Sequence, residues 1–293
     1  MYESRILGLA YVTPFVIGLL VFTAFPFLAS LGLSFTEYNL IERPYWVGLD
    51  NFEFMFFHDS LFWKSLSVTL AYVFITVPLK LAFALYIALI LNFKLKGINL
   101  FRTGYYVPSI LGGSVAIAVL WRYMFADFGV INLILGTVGI DPVPWFGDPG
   151  WALFTITLLR LWQFGSAMVI FLAALQNVPV SLYEAAMIDG ARKWQAFFRI
   201  TIPLITPVIF FNFIMQLVQA FQEFNGPYII TQGGPLKSTY LLPLYIYESA
   251  FRNFEMGYGA ALAWVLFSIV MVLTIIAFVT SKYWVFYSGD KQS

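Results

Sequence analysis

Long apolar runs separated by short polar segments dominate this chain. Mostly apolar stretches of about 20 residues or more fall at 6–35, 66–93, 105–125, 151–175, 202–224 and 259–283, and a helix of that length crosses roughly 30 Å of hydrocarbon. The pattern predicts an all-α integral membrane protein with about six transmembrane helices, because only helices or closed barrels satisfy their backbone groups in lipid. Pro14, Pro26, Pro78 and Pro207 lie within or near the ends of these runs, which predicts kinks that neighbouring groups must satisfy. The first run contains two of these prolines, exceeds the apolar core of a signal peptide and has no clear small-residue cleavage site. It reads as a retained membrane helix.

The polar connections differ in sign. Arg5, then Lys94, Lys96 and Arg102, then Arg192, Lys193 and Arg199, and finally Lys282 and Lys291 fall on one side of the spans. Glu37, Glu42, Asp50, Glu53 and Asp59, followed by Asp127, Asp141 and Asp148, fall on the other. The excess of Lys and Arg predicts that the first side is cytoplasmic and that both termini face it. The outer segments 36–65, 126–150 and 225–258 are long and rich in aromatic residues. Trp46, Trp63, Trp145 and Trp151 accordingly read as anchors at the membrane interface, with sugar stacking as the alternative. With no repeat, low-complexity tract or soluble stretch, residues 1–293 read as one transmembrane domain.

Composition narrows the function classes. Hydrophobic residues make up 61% of the chain and charged ones 11%, too few charges to cover a soluble globule of this length. There is no cysteine and a single histidine, His58, which excludes disulfides and thiolate chemistry and leaves no imidazole cluster for a metal. The formal charge of +1 argues against a nucleic-acid partner. The pattern Gly-x-x-x-x-Gly-Lys followed by Ser or Thr does not occur, so the chain is not expected to hydrolyse ATP by itself. No bound cofactor and no catalytic residue are expected.

Polar residues inside the spans are candidates for a pathway, since lipid would penalise them. Asn212, Gln216, Gln219 and Glu223 recur at intervals of four, three and four, which places them on one face of a helix. Their amides and carboxylate offer the donors and acceptors that sugar hydroxyls need. Interhelical hydrogen bonding is the structural alternative. Lys80 shares a face with Thr69 and Thr76 in the second span, and Arg160 lies in the fourth. Each needs a partner or water, and Glu223 is a possible counter-ion. A sharper expectation is that Lys80 and Arg160 favour an acidic oligosaccharide.

Between the fourth and fifth runs lies a polar island, 178–204. Val178-Pro179-Val180-Ser181 ends the fourth run. Ser181 with Glu184 three residues on forms a capping-box pattern for a short helix. Gly190 suits a left-handed helix end, and 191–200 reads as a second short helix outside the membrane. Ala185, Ala186 and Ala191 leave room for close approach, while Trp194, Phe197 and Phe198 offer apolar area. An interfacial connector without a partner has the same periodicity.

The order Glu184-Ala185-Ala186, Asp189-Gly190-Ala191, Ile200 and Pro203 resembles the EAA loop of ABC importer permeases, and the resemblance extends along most of the chain. Pro26 with Ser34-Phe35-Thr36, Val47-Gly48-Leu49-Asp50-Asn51-Phe52, Arg102 with Pro108, Trp121 with Phe125, Gly129-Val130-Ile131-Asn132 and Thr231-Gln232-Gly233-Gly234-Pro235 follow the carbohydrate-importing, maltose permease-like branch in order. Some relatives carry a large outer domain and extra N-terminal spans, so loop roles specific to those proteins are not expected of these residues. The resemblance implies a type I ABC importer permease architecture and a multi-pass place in a bacterial or archaeal inner membrane. It further implies a second, homologous permease subunit, two ABC ATPase subunits carrying ATP and Mg, and an extracytoplasmic sugar-binding protein. The ATPases would dock on the island and drive alternating access for sugars, most readily oligosaccharides. Two rival expectations are a self-sufficient ion-coupled transporter using Lys80, Arg160 and Glu223, and a membrane enzyme acting on lipid-linked sugars. No inverted repeat supports the first, and no paired carboxylates near one interface support the second.

Overall fold

The computed structural model describes residues 5–93 and 96–286, with side chains described from residue 11 onward. Lys94 and Lys291 lie outside the described residues, as does the side chain of Arg5. Among the described residues, four helices are long and apolar enough to cross a membrane: Tyr11–Leu33, Ser60–Leu91, Lys193–Phe221 and Met256–Ser281. Two further spans are bent pairs, Ile98–Leu111 with Val115–Met124 at 102° and Pro149–Trp162 with Gly165–Gln176 at 45°. Counting each pair once gives six spans.

The two bends correct the expectation of continuous third and fourth spans. In the third, Ser114 is extended (φ −81°, ψ 144°) and its hydroxyl accepts the amide of Ile117, so a new helix starts there with its own cap. In the fourth, Gln163 leaves the helical region at φ −85°, ψ 35° before Gly165–Gln176 resumes. The expected all-α fold also gains one small antiparallel pair, Thr36 with Trp46 and Glu37 with Tyr45.

Prolines are accommodated by wide turns and side-chain acceptors. A π-helical turn over Leu20–Ala24 stands just ahead of Pro26, and another over Phe197–Thr201 just ahead of Pro203. Such a turn shifts the hydrogen-bond register by one residue where the proline ring would otherwise crowd the preceding turn. Pro207 withholds the N–H that would pair with the carbonyl of Pro203, and the Thr206 hydroxyl donates to that carbonyl at 2.7 Å instead.

The chain forms two compact units. One comprises the residues up to Trp63 together with Tyr245–Ser268. Its first span buries none of its apolar window, but Phe27 packs on Trp264 at 4.6 Å and the Trp264 indole donates to Ser30 at 3.1 Å. A Cβ on Gly257 would fall 1.9 Å from the carbonyl oxygen of Thr36, so only glycine permits that approach. Asp59, read from sequence as a loop acid, is buried; it accepts from the Leu61 amide at 2.8 Å, the Tyr245 hydroxyl at 2.6 Å and the Tyr258 hydroxyl. Burial, together with the hydrogen bond to Asp59, pushes the Tyr245 hydroxyl well above the usual phenolic range.

The other unit holds the described residues of 64–244 and 269–286. Its core joins Ala84, Ala88 and Leu91 to Met168, Phe171 and Ile205. Gly165 lets two spans touch: a Cβ there would lie 2.4 Å from the carbonyl oxygen of Tyr105, and the adjacent Ser166 amide donates to Ser109 at 3.0 Å. Of the four tryptophans expected at the interface, Trp46, Trp63 and Trp151 are exposed. Trp145 is not. It packs edge-on against Phe125 at 5.2 Å and donates to the Asn132 side chain at 2.9 Å, so it is a core residue.

Candidate functional site

Two features stand out, a projecting island and a polar cavity, both within residues 64–244. In the island, Val180–Ile188 is helical, but its N-cap is Pro179 in an extended conformation, without a side-chain cap. The expected capping by Ser181 and Glu184 therefore does not form, because the helix begins before Ser181. The other end matches the expectation closely. Gly190 has φ +76°, its amide bonds to Met187 at 3.0 Å, and the Ala191 amide reaches back to Ala186 at 2.8 Å. This paired closure is the Schellman ending, which requires a left-handed residue.

The second island helix is not separate. Lys193–Ala196 runs through the π turn into the fifth span, giving one helix Lys193–Phe221. Gln195 starts it by accepting the Arg192 amide at 2.7 Å. The Tyr183 hydroxyl meets the Thr201 hydroxyl at 2.7 Å, tying the short helix to the long one. Sequence reasoning passed over this contact, although two hydroxyls flanking the turn were available as a signal. Glu184, Ala185, Asp189 and Gly190 are exposed, whereas Ala186, Ala191, Ile200 and Pro203 are half-buried. Met187, Ile188, Trp194 and Phe198 are exposed as well, leaving more apolar surface around the bend than a solvated loop needs.

The cavity, of about 280 Å³, lies where the bent third and fourth spans meet the end of the fifth. Gly112 and Gly113 line it beside Arg160, Gln163, Gln219 and Glu223. Arg160 organises the wall: its guanidinium donates to Gln163 at 3.2 Å and Gln219 at 3.0 Å and pairs with Glu223 at 3.6 Å. Glu223 in turn accepts the Gly226 amide at 3.1 Å. The bend frees two carbonyls, and side-chain amides cap both: Gln163 donates to Gly112 at 2.9 Å and Asn225 to Gly113 at 3.2 Å. A Cβ on Gly112 would fall 2.2 Å from the Gln163 side chain, which would have to move and give up its present place at the bend.

The predicted stripe on the fifth span therefore divides. Gln219 and Glu223 line the cavity, while Asn212 and Gln216 are buried away from its wall. The Asn212 amide reaches the Ala167 carbonyl only at 3.5 Å, and the side-chain oxygens of Asn212 and Gln216 have no hydrogen-bond partner among the described residues. Arg160 and Glu223 come together as the expected ion pair. Lys80 does not join it: its side chain is 2% exposed, is not part of the cavity wall and makes no hydrogen bond or ion pair among the described residues. Thr69 and Thr76 share its buried face, with Thr69 accepting the Leu242 amide at 2.8 Å and Thr76 meeting Thr157 at 3.4 Å. Gln163 and Asn225 were missed because neither belongs to a periodic pattern; the Gly-Gly-Ser interruption at 112–114 was the available clue.

Comparison with known proteins agrees with this architecture. Residues 60–284 match the family model described as "Binding-protein-dependent transport system inner membrane component". The chain is 51% identical over 293 residues to the probable ABC transporter permease protein YesP of Bacillus subtilis (strain 168), covering 99% of this chain and 95% of YesP. It is 36% identical over 283 residues to the lactose transport system permease protein LacF of Rhizobium radiobacter, covering 94% of each. In fold it is similar to a chain of a bacterial ABC transporter involved in the import of the acidic polysaccharide alginate, with a TM-score of 0.81 at 23% identity, covering 94% of this chain and 95% of that one. The chain belongs to the family of binding-protein-dependent transport system inner membrane components, the permeases of ABC importers.

Proposed function

We propose that this chain is a permease subunit of an ATP-driven sugar importer, carrying oligosaccharides across a bacterial or archaeal inner membrane. It pairs with a second, homologous permease, receives cargo from an extracytoplasmic sugar-binding protein and is driven by two ABC ATPases that hold ATP and Mg. Both termini and the island 178–204 face the cytoplasm in this reading, as the distribution of Lys and Arg favours. The ATPases grip the surface around Glu184, Ala185, Ala186, Asp189, Gly190 and Ala191, with Ile200 and Pro203 leading into the fifth span. The name of LacF, a lactose transport permease, supports a sugar as cargo.

The observation that carries the proposal is mechanical. The exposed bend is closed by Gly190, pinned by Tyr183 to Thr201, and continuous with the helix that ends near the cavity through Gln219 and Glu223. A displacement of the bend is therefore transmitted along a rigid element to the polar cavity, where Arg160, Gln219 and Glu223 offer donors and acceptors to hydroxyls. Substituting Glu184→Arg, exposed on the short helix that leads into the bend, tests it. The expected result is loss of the ATPase subunits on affinity purification, together with loss of ATP-dependent uptake. Uptake that continues at the wild-type rate without any ATPase, driven by an ion gradient, would replace this reading with that of a self-sufficient carrier.

A further inference from the structure

We infer that a groove at the end of the third span binds a membrane phospholipid whose headgroup carries a phosphate and a primary ammonium, Arg122 receiving the phosphate and Asp127 the ammonium. The groove shares no lining residue with the cavity at Arg160. It does not depend on what the chain transports.

The groove, of about 830 Å³, lies where Val115–Met124, the second limb of the bent third span, comes to its end. Its walls are tied together from beneath. The Asn132 amide donates to the Asp127 carbonyl at 3.1 Å and to the Val143 carbonyl at 3.0 Å, and its oxygen accepts the Val143 amide at 3.1 Å. The strip at Asp127 is thereby joined to the one carrying Pro144 and Phe146, and the Pro144 carbonyl closes the turn by accepting the Gly147 amide at 3.1 Å. A groove built before its ligand arrives loses little ordering on binding.

Two charges of opposite sign line this groove, and they do not neutralise each other. The Arg122 guanidinium donates to the Ile229 carbonyl at 3.1 Å, which fixes it to the wall through one terminal nitrogen and leaves the other to a ligand. Among the described residues the Asp127 carboxylate makes no hydrogen bond, and no ion pair joins it to Arg122. A ligand that answers both must present an anion and a cation a few bonds apart. A phosphate bridged by two carbons to an ammonium does so, because guanidinium N–H groups suit phosphate oxygens and the ammonium donates to the carboxylate. A purely anionic headgroup meets Arg122 but is repelled by Asp127. A trimethylated ammonium has no N–H to give.

The apolar surroundings separate a lipid from a soluble zwitterion. Val119 and Tyr123 line the groove, and Val115 continues the same helix face one turn earlier, all three exposed. Leu120 and Phe128 beside them are exposed as well. An apolar ridge thus leads along the span to a charged groove at its end, which is the order of acyl chain and headgroup in a lipid leaflet.

The test offers the purified, delipidated permease, together with the subunits that accompany it, an equimolar mixture of phosphatidylethanolamine, phosphatidylglycerol and phosphatidylcholine of identical acyl chains. Lipid retained after washing is counted by native mass spectrometry. Phosphatidylethanolamine should be retained about 5-fold over either of the others, the scale of one added ion pair. Asp127→Asn should remove the preference over phosphatidylglycerol, and Arg122→Gln should weaken retention of both. Equal retention of the three lipids, or a preference that Asp127→Asn leaves intact, overturns the inference. Displacement by free glycerophosphoethanolamine as readily as by the lipid also overturns it, in favour of a soluble ligand. A cysteine at Val119 that cross-links to a second permease subunit does the same, by showing the groove covered with protein. The wild-type comparison requires no variant to fold, and each outcome leaves the importer reading as it stands.

Discussion

Replacing Gly190 should produce a graded loss of coupling whose order follows from backbone geometry alone. Its φ is +76°, and a Cβ built there meets nothing within 4 Å. Gly190→Ala therefore introduces no clash, and its cost is the left-handed conformation itself, about 1–2 kcal/mol for an L-residue. Gly190→Asn should cost less, because Asn visits that region more readily. Gly190→Pro is the severe case. Its ring holds φ near −65° and removes the amide that bonds to Met187 at 3.0 Å, so the closure is lost at roughly 3 kcal/mol or more. The adjoining bond from Ala191 to Ala186 depends on the same bend and should go with it. Both effects fall on an exposed turn outside the spans, so membrane insertion should be unchanged. The assay is the ratio of ATP hydrolysed to sugar imported in a purified, reconstituted complex. The expected order of that ratio is wild type, Asn, Ala and then Pro, rising steeply at Pro. A proline variant as tightly coupled as wild type, or an alanine variant worse than proline, would refute the claim that this bend transmits the motion.

Two further substitutions probe how the helices are held. Thr206→Val removes the hydroxyl that donates to the Pro203 carbonyl at 2.7 Å and accepts the Phe286 amide at 2.8 Å. With two backbone groups left unpaired, it should lower stability by about 1–3 kcal/mol for each one that stays dry, read as a lower melting temperature in detergent; Thr206→Ser should restore most of it. Gly165→Ala places a Cβ 2.4 Å from the Tyr105 carbonyl oxygen. The helices must separate there, so a cysteine pair at the neighbouring Ser109 and Ser166, where the Ser166 backbone amide otherwise donates to the Ser109 hydroxyl at 3.0 Å, should cross-link more slowly in the alanine variant than in its parent. An unchanged rate would show that the contact at Gly165 is not needed. The natural chain has no cysteine, which leaves that measurement without background.

The features legible in the sequence are those whose causes are local. An apolar run long enough to cross lipid announces itself by length, and six spans follow once each bent pair is counted once. The Gly190 closure is also local, formed by hydrogen bonds that link 186 to 191 and 187 to 190. The capping by Ser181 and Glu184 had equal local support and failed, because the extended Pro179 already serves as the N-cap and starts the helix before Ser181. Two adjacent local rules competed, and the stiffer residue prevailed.

The polar site is of another kind. The helical period of Asn212, Gln216, Gln219 and Glu223 was visible, but their division between a cavity wall and unpaired burial was not. Period assigns a face to a helix, whereas the bends of neighbouring helices decide how far along that face the cavity extends. The bend in the third span exposes two carbonyls that are capped from Gln163 and Asn225, partners 51 and 112 residues away in sequence. No window of the sequence contains that pairing. A polar residue in a span therefore says that lipid is excluded from one side of it, while the identity of what replaces the lipid is set by distant breaks in other helices. Lys80 is the sharpest instance: its place inside the second span is readable from the sequence, but that Glu223 pairs with Arg160, and that Lys80 makes no ion pair among the described residues, is visible only in the fold.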